Sequence, residues 1–186
     1  MNLEIGSLQL RANRYKTVLQ NTQVNRDAWH TETKPLIMSA LKELVDAIEL
    51  KADLKVQDKI SNLEAVILDL GKSSSGISEY LEDTDIKRMM VKTNGSLIYQ
   101  QLFNGKIMVM MMSPHIEGYG EPKPPKAIEI LRPDELKKPF FIRHLETFLK
   151  DITDWEDYDD DEPKKAGVAF NPIGFNRGGG DVGEEY

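Results

Sequence analysis

Leu97-Ile98-Tyr99-Gln100-Gln101-Leu102-Phe103-Asn104-Gly105-Lys106-Ile107-Met108-Val109-Met110-Met111-Met112 decides how this chain folds. Two runs rich in β-branched, aromatic and long apolar residues flank Asn104-Gly105. That dipeptide suits a two-residue type I′ turn, in which both central residues need positive φ. Such a turn predicts the register: Phe103 opposite Lys106, Gln101 opposite Met108, Tyr99 opposite Met110 and Leu97 opposite Met112. Met108, Met110 and Met112 would then share one face with Leu97, Tyr99 and Phe103. Met111 would join Ile98, Leu102, Ile107 and Val109 on the other. Both faces are mostly apolar, so the ribbon has to be covered on two sides.

Working outward, three more strand-like runs precede the hairpin. Leu54 and Val56 mark a short one, Leu63–Leu70 reads as a buried strand, and Lys87–Thr93 leads to a second Asn-Gly pair, Asn94-Gly95. Between them Ile77–Glu82 is expected to return as the hairpin partner of Leu63–Leu70 after the polar loop Gly71–Gly76. Beyond the ribbon, Ser113–Pro125 is a Gly/Pro-rich surface connection and Ala127–Leu131 a closing strand. The expected centre is an antiparallel meander of four to six strands.

Helices flank it. Leu8, Ala12, Tyr15, Leu19, Thr22, Arg26 and Trp29 recur at spacings of four and three, a helical seam from about Ser7, with the polar run Gln20–Arg26 as a place to break. Leu3 and Ile5 before Gly6 are also compatible with a short strand. Thr33-Lys34-Pro35 has the form of a helix start, and Ile37, Leu41, Leu44 and Ile48 give the following helix a broad apolar face. Pro139 opens a last helix whose stripe is Phe141, Leu145, Phe148, Ile152 and Trp155. The expected arrangement puts the Leu36–Ile48 helix on one sheet face and the Phe141–Trp155 helix on the other.

The resulting fold class is α+β: an antiparallel meander packed with N-terminal helices and one C-terminal helix, followed by an acidic Gly-rich tail. In segments, residues 1–53 form the helical part, residues 54–156 the sheet and last helix of the same domain, and residues 157–186 the extended tail. The 186-residue chain is long enough for a real core, with 40% hydrophobic and 30% charged residues. Its net charge of −7 lies in the tail. Asp154–Tyr186 carries ten acids against three bases, and the remainder is neutral. A nucleic-acid partner is therefore disfavoured. With no cysteine, disulfides and thiolate chemistry are excluded. No secretory leader pattern and no run near the ~20 residues of a membrane span is evident, so the expected location is cytoplasmic.

Chemical motifs are incomplete. Gly71-Lys72-Ser73 has part of a phosphate-loop pattern, but Val66 stands where another glycine is needed. Asp157, Asp159 and Asp161 fit the first calcium-loop positions, but Glu162 and Val168 occupy those requiring glycine and glutamate. His30, His115 and His144 share no metal-ligand spacing. His144 reads as a surface or boundary residue. Ser113 and His115 lie two apart without a nucleophile elbow. No catalytic, cofactor or metal residue is expected.

The expected role is a non-enzymatic interaction or assembly subunit, binding a protein partner or itself. The candidate contact residues are Tyr99, Met108, Met110 and Met112 on the sheet and Phe170, Ile173 and Phe175 in the tail. The alternative is a small-molecule-binding domain with Tyr99, Gln100, Gln101 and His115 around a sheet–helix pocket.

Overall fold

A computed structural model describes residues 2–81 and 85–157. The tail residues Phe170, Ile173 and Phe175, and nearly all of the incomplete calcium loop, lie outside the described residues. The architecture is α+β, with eight strands in two antiparallel sheets among the described residues. The strands are β1 (Asp53–Gln57), β2 (Ala65–Asp69), β3 (Lys72–Tyr80), β4 (Lys87–Thr93), β5 (Ser96–Gln101), β6 (Ile107–Met112), β7 (His115–Ile116) and β8 (Lys126–Leu131). The first sheet runs β1-β2-β5-β6-β8 and the second β3-β4-β7.

The ribbon forms, but with a different turn. Gly105 N–H donates to the Leu102 carbonyl and Leu102 N–H to the Lys106 carbonyl, both at 2.8 Å. Gly105 has φ +74° while Asn104 stays at negative φ. The connection is thus a three-residue loop whose glycine forms a bulge, rather than a type I′ turn. One extra residue slides the register by one. Gln101 faces Ile107, Tyr99 faces Val109, Ile98 faces Met110 and Ser96 faces Met112. Met108, Met110 and Met112 therefore share their face with Ser96, Ile98 and Gln100, and Tyr99 lies on the opposite side.

The N-terminal part selects this turn. A Cβ on Gly105 would sit 2.6 Å from the Arg26 nitrogen, and the Arg26 guanidinium donates to the Phe103 carbonyl at 2.5 and 2.8 Å. The helix carrying Arg26, α1 (Asn2–Ala28), starts earlier than the periodicity suggests and does not break at Gln20–Arg26. Nor does a new helix begin at Thr33. A π-helical turn, Trp29–Thr33, carries α1 into α2 (Lys34–Ala47), and Lys34 N–H bonds the Trp29 carbonyl five residues back. Thr33 is helical and makes no side-chain cap. The wider turn accommodates Pro35, which brings no N–H and crowds the preceding turn.

The second Asn-Gly pair does not make a hairpin either. β4 and β5 do not pair; β2 pairs β5, and β3 pairs β4. The segment from β2 to β5 is one long hairpin folded at a corner, where Leu70 N–H bonds the Gly95 carbonyl and Asn94 N–H the Gly71 carbonyl. Gly95, at φ +94°, leaves no room for a Cβ, which would fall 2.7 Å from the Met112 carbonyl. The distal β3–β4 half is largely exposed.

Both α2 and α3 (Lys138–Glu156) contribute to the core on the same face of the five-stranded sheet. Ile37 and Leu41 of α2 and Phe141, Leu145 and Phe148 of α3 cluster with Val66, Leu68, Leu97, Tyr99, Val109 and Met111. Each large side chain here is worth roughly 1.5–3 kcal/mol of burial before entropy is subtracted. The expectation of one helix per face is thereby corrected. On the other face Ala65, Ile98 and Met110, with Ile67, Met108 and Met112 against them, form a second cluster made of strand residues alone.

Candidate functional site

Three features of the fold have chemical or binding potential: a buried polar relay, an anchor at the π-turn, and the surface that the helices leave uncovered. The relay sits on the helix-covered face. β5 brings Tyr99, β8 brings Glu129 and α3 brings Arg143 and His144. The Tyr99 hydroxyl lies 2.9 Å from His144 Nδ1, and His144 Nε2 and the Arg143 guanidinium both bond Glu129 Oε1. Tyr99 and His144 have no solvent exposure. His144 was expected at the boundary; in the helix it falls on the same side as Phe141, Leu145 and Phe148, so it is buried with them.

The electrostatics assign the protons. Burial pushes the Glu129 carboxyl up, but the hydrogen bonds and charges of His144 and Arg143 outweigh it and hold the pKa below the ordinary 4.5. Glu129 is therefore an acceptor. Burial takes His144 below its ordinary 6.5 despite the carboxylate. A neutral imidazole donating from Nε2 to Glu129 leaves Nδ1 to accept from Tyr99. Burial and the Glu129 charge push the Tyr99 hydroxyl up, so it stays protonated. The Tyr99 ring packs 5.6 Å from those of Phe141 and His144, and Arg143 stacks 4.6 Å over Phe140. This relay pins α3 to β5 and β8. Sequence spacing could not find it, because its members come from three elements and only the fold brings them together.

Glu64 makes the second node. Its carboxylate accepts from Trp29 Nε1 at 3.2 Å and Lys34 Nζ at 2.9 Å, fastening the π-turn to the start of β2. Burial raises its pKa, yet the Lys34 and Trp29 hydrogen bonds bring it net below the ordinary value. Nearby on the covered face, the Gln101 side chain is fully buried with neither Nε2 nor Oε1 hydrogen-bonded among the described residues.

The pocket residues expected from sequence do not converge. Tyr99 and Gln101 point to the covered face, Gln100 to the helix-free face, and His115 belongs to β7 in the other sheet. Ser113 donates to Asp151 at 2.7 Å rather than to His115. Gly71 lies at the sheet corner with a strand after it, not a helix. Among the described residues, no group of three or more His, Asp or Glu is placed to hold a metal ion, and no helix is long and apolar enough to cross a membrane.

Of the candidate contact residues, Met110 is buried and Met108 and Met112 are half-buried on the helix-free face, while Tyr99 belongs to the relay. The larger uncovered surface is one that sequence reasoning assigned to the core. Residues 5–21 of α1 are exposed on every side, including Leu8, Tyr15, Val18 and Leu19 at half or more of full exposure. The seam of four-three spacing exists, with Ile5 extending it, but only its end at Trp29 is buried. Periodicity reports that a helix has an apolar stripe and says nothing of what covers it. Comparison with protein-family models, curated proteins and solved structures returns no match.

Proposed function

We propose that this chain is a non-enzymatic assembly subunit, cytoplasmic in location, that associates with copies of itself through elements standing clear of the packed body. The observation that carries this reading is α1. A helix of 27 residues whose apolar side chains face water from Ile5 through Val24 is marginal in isolation, and burial of its apolar residues is what normally makes such a helix stable. The half-buried Met108 and Met112 offer a second, adaptable apolar surface. The relay has no part in this role: Tyr99 and His144 are closed to solvent, and the exposed Arg143 is paired with Glu129.

Native mass spectrometry and sedimentation equilibrium of the full chain test it. The expected result is a mass that is a multiple of the 21.2 kDa chain, reduced by Leu8→Asp with Leu19→Asp. These positions are exposed, so the substitutions leave the body folded. A single-chain mass at every concentration overturns the reading.

A further inference from the structure

We infer that the exposed α1 helix of one copy is the docking site for the acidic C-terminal segment of the next, an inference that rests on the self-assembly reading above. The first argument is charge. Between Ile5 and Asn25 the helix carries Arg11, Arg14 and Lys16 and no acid. The body as a whole is neutral, so this is a local positive field on an element surrounded by water. Asp157–Glu162 carries five acids in six residues. Two copies of α1 set side by side would repel; α1 and this segment attract.

The second argument is the pattern of apolar residues. At 100° per residue, Leu8, Tyr15, Val18 and Leu19 fall on one side of α1 together with Arg11, with Arg14 and Lys16 flanking them, while the exposed Leu10 and Val24 lie on the other side. A side of the helix that mixes apolar and basic residues calls for a ligand that is apolar and acidic. Phe170, Ile173 and Phe175 follow the acidic run by eight to thirteen residues, in a segment whose composition gives it no core of its own.

The third argument is placement. α1 joins the body at the β5–β6 turn, through Arg26 and Phe103 and through Gly105. The end of α3 is held at the opposite end of the same strands, where Lys92 bonds Glu156 and lies 5.8 Å from the Trp155 ring, and Ser113 bonds Asp151. Six residues of β5 separate the two ends by about 20 Å. Docking site and ligand thus depart from opposite ends of the sheet, the arrangement of a head-to-tail contact. Such an interface is heterologous and builds rings or filaments rather than a closed pair.

The test uses the full chain. Equal amounts of ordinary and 15N-labelled protein are mixed and treated with a zero-length carbodiimide, which couples Lys16 to nearby carboxylates, and cross-linked peptides are mapped by mass spectrometry. Expected are mixed-isotope links between Lys16 and Asp159, Asp160, Asp161 or Glu162. In parallel, Arg11→Glu, Arg14→Glu and Lys16→Glu together should weaken self-association about tenfold, as three exposed ion pairs imply. Combining that variant in a 1:1 mixture with Asp159→Lys, Asp160→Lys, Asp161→Lys should restore association between the two. A chain that assembles with unchanged mass in the charge-reversed variants overturns the arm–tail contact and leaves the assembly reading standing. Links confined to one isotope, or Lys16–Lys16 links from an amine-reactive reagent that persist after tail reversal, also overturn it. A single-chain mass throughout overturns both.

Discussion

The two faces of the β5–β6 ribbon are built from the same two strands, yet they ended in different states. On one, Leu97, Tyr99, Ile107, Val109 and Met111 lie under α2 and α3 with 2% exposure or less. On the other, Ile98, Met108, Met110 and Met112 pack only with other strand residues. Hydrophobicity does not separate them, since both sets are apolar. The covered face differs in carrying groups that only a helix can complete. Tyr99 needs the His144 ring, and Glu129 needs His144 and Arg143. The methionine face asks for nothing directional. A buried polar network is costly when incomplete, so it commits its face to one partner, whereas methionines tolerate several.

Substitutions on the two faces should therefore differ in size. Phe148→Ala, on α3 against the covered face, should cost about 3–5 kcal/mol in urea unfolding, because a fully buried ring leaves a cavity. If it costs no more than a change on the methionine face, the comparison fails. Gly105→Ala should cost about 2 kcal/mol or more, since the new Cβ meets the α1 backbone at positive φ. Amide exchange across β5 and β6 would show whether the register survives.

Two changes sharpen the polar side of the contrast. Tyr99→Phe should cost about 1 kcal/mol by leaving His144 Nδ1 without its donor. Gln101→Met should go the other way, stabilising the fold by about 1 kcal/mol in urea unfolding, because it removes two buried unpaired polar atoms at nearly constant volume. A loss there would mean that the amide has a role in the fold. Met108→Ala, on the helix-free face, should cost about 1 kcal/mol at most.

The relay also sets a pH profile. His144 has a depressed pKa in the fold, so its contribution is complete above 6.5 and declines as pH falls below it. Glu129 and Glu64, also depressed, add a further loss as pH falls through and below 4.5. Tyr99, with a raised pKa, contributes up to about pH 10 and loses its share as pH rises beyond. Stability measured by thermal unfolding should be greatest between about pH 7 and 10. In the His144→Phe variant the decline between pH 6.5 and 5 should flatten; an unchanged slope there assigns it to other groups.

Much of this fold was legible beforehand. Period-2 and buried apolar runs placed β2, β4, β5, β6 and β8, and four-three spacing placed α2 and α3. Less of the candidate surface was readable. The methionines of β6 stand out in the sequence, but the N-terminal helix reads as packed on the sheet because Leu8, Tyr15 and Leu19 look the same whether they are buried or bare. His144 was placed at a boundary because a lone histidine in a helix gives no sign that Tyr99 and Glu129 will meet it.

By itself, then, the sequence determined where β2, β5, β6, α2 and α3 run, because those follow from backbone preference and local spacing, whereas the polar stretch Gly71–Gly76, which reads as a loop, is largely strand β3 and pairs with β4. Register, the choice of face and the continuity of α1 into α2 belonged to the tertiary structure. Alternation within a strand has no phase relative to its neighbour. One residue in a loop sets that phase, and here the loop is held by a helix some eighty residues away in the chain, through Arg26 and the bare backbone of Gly105.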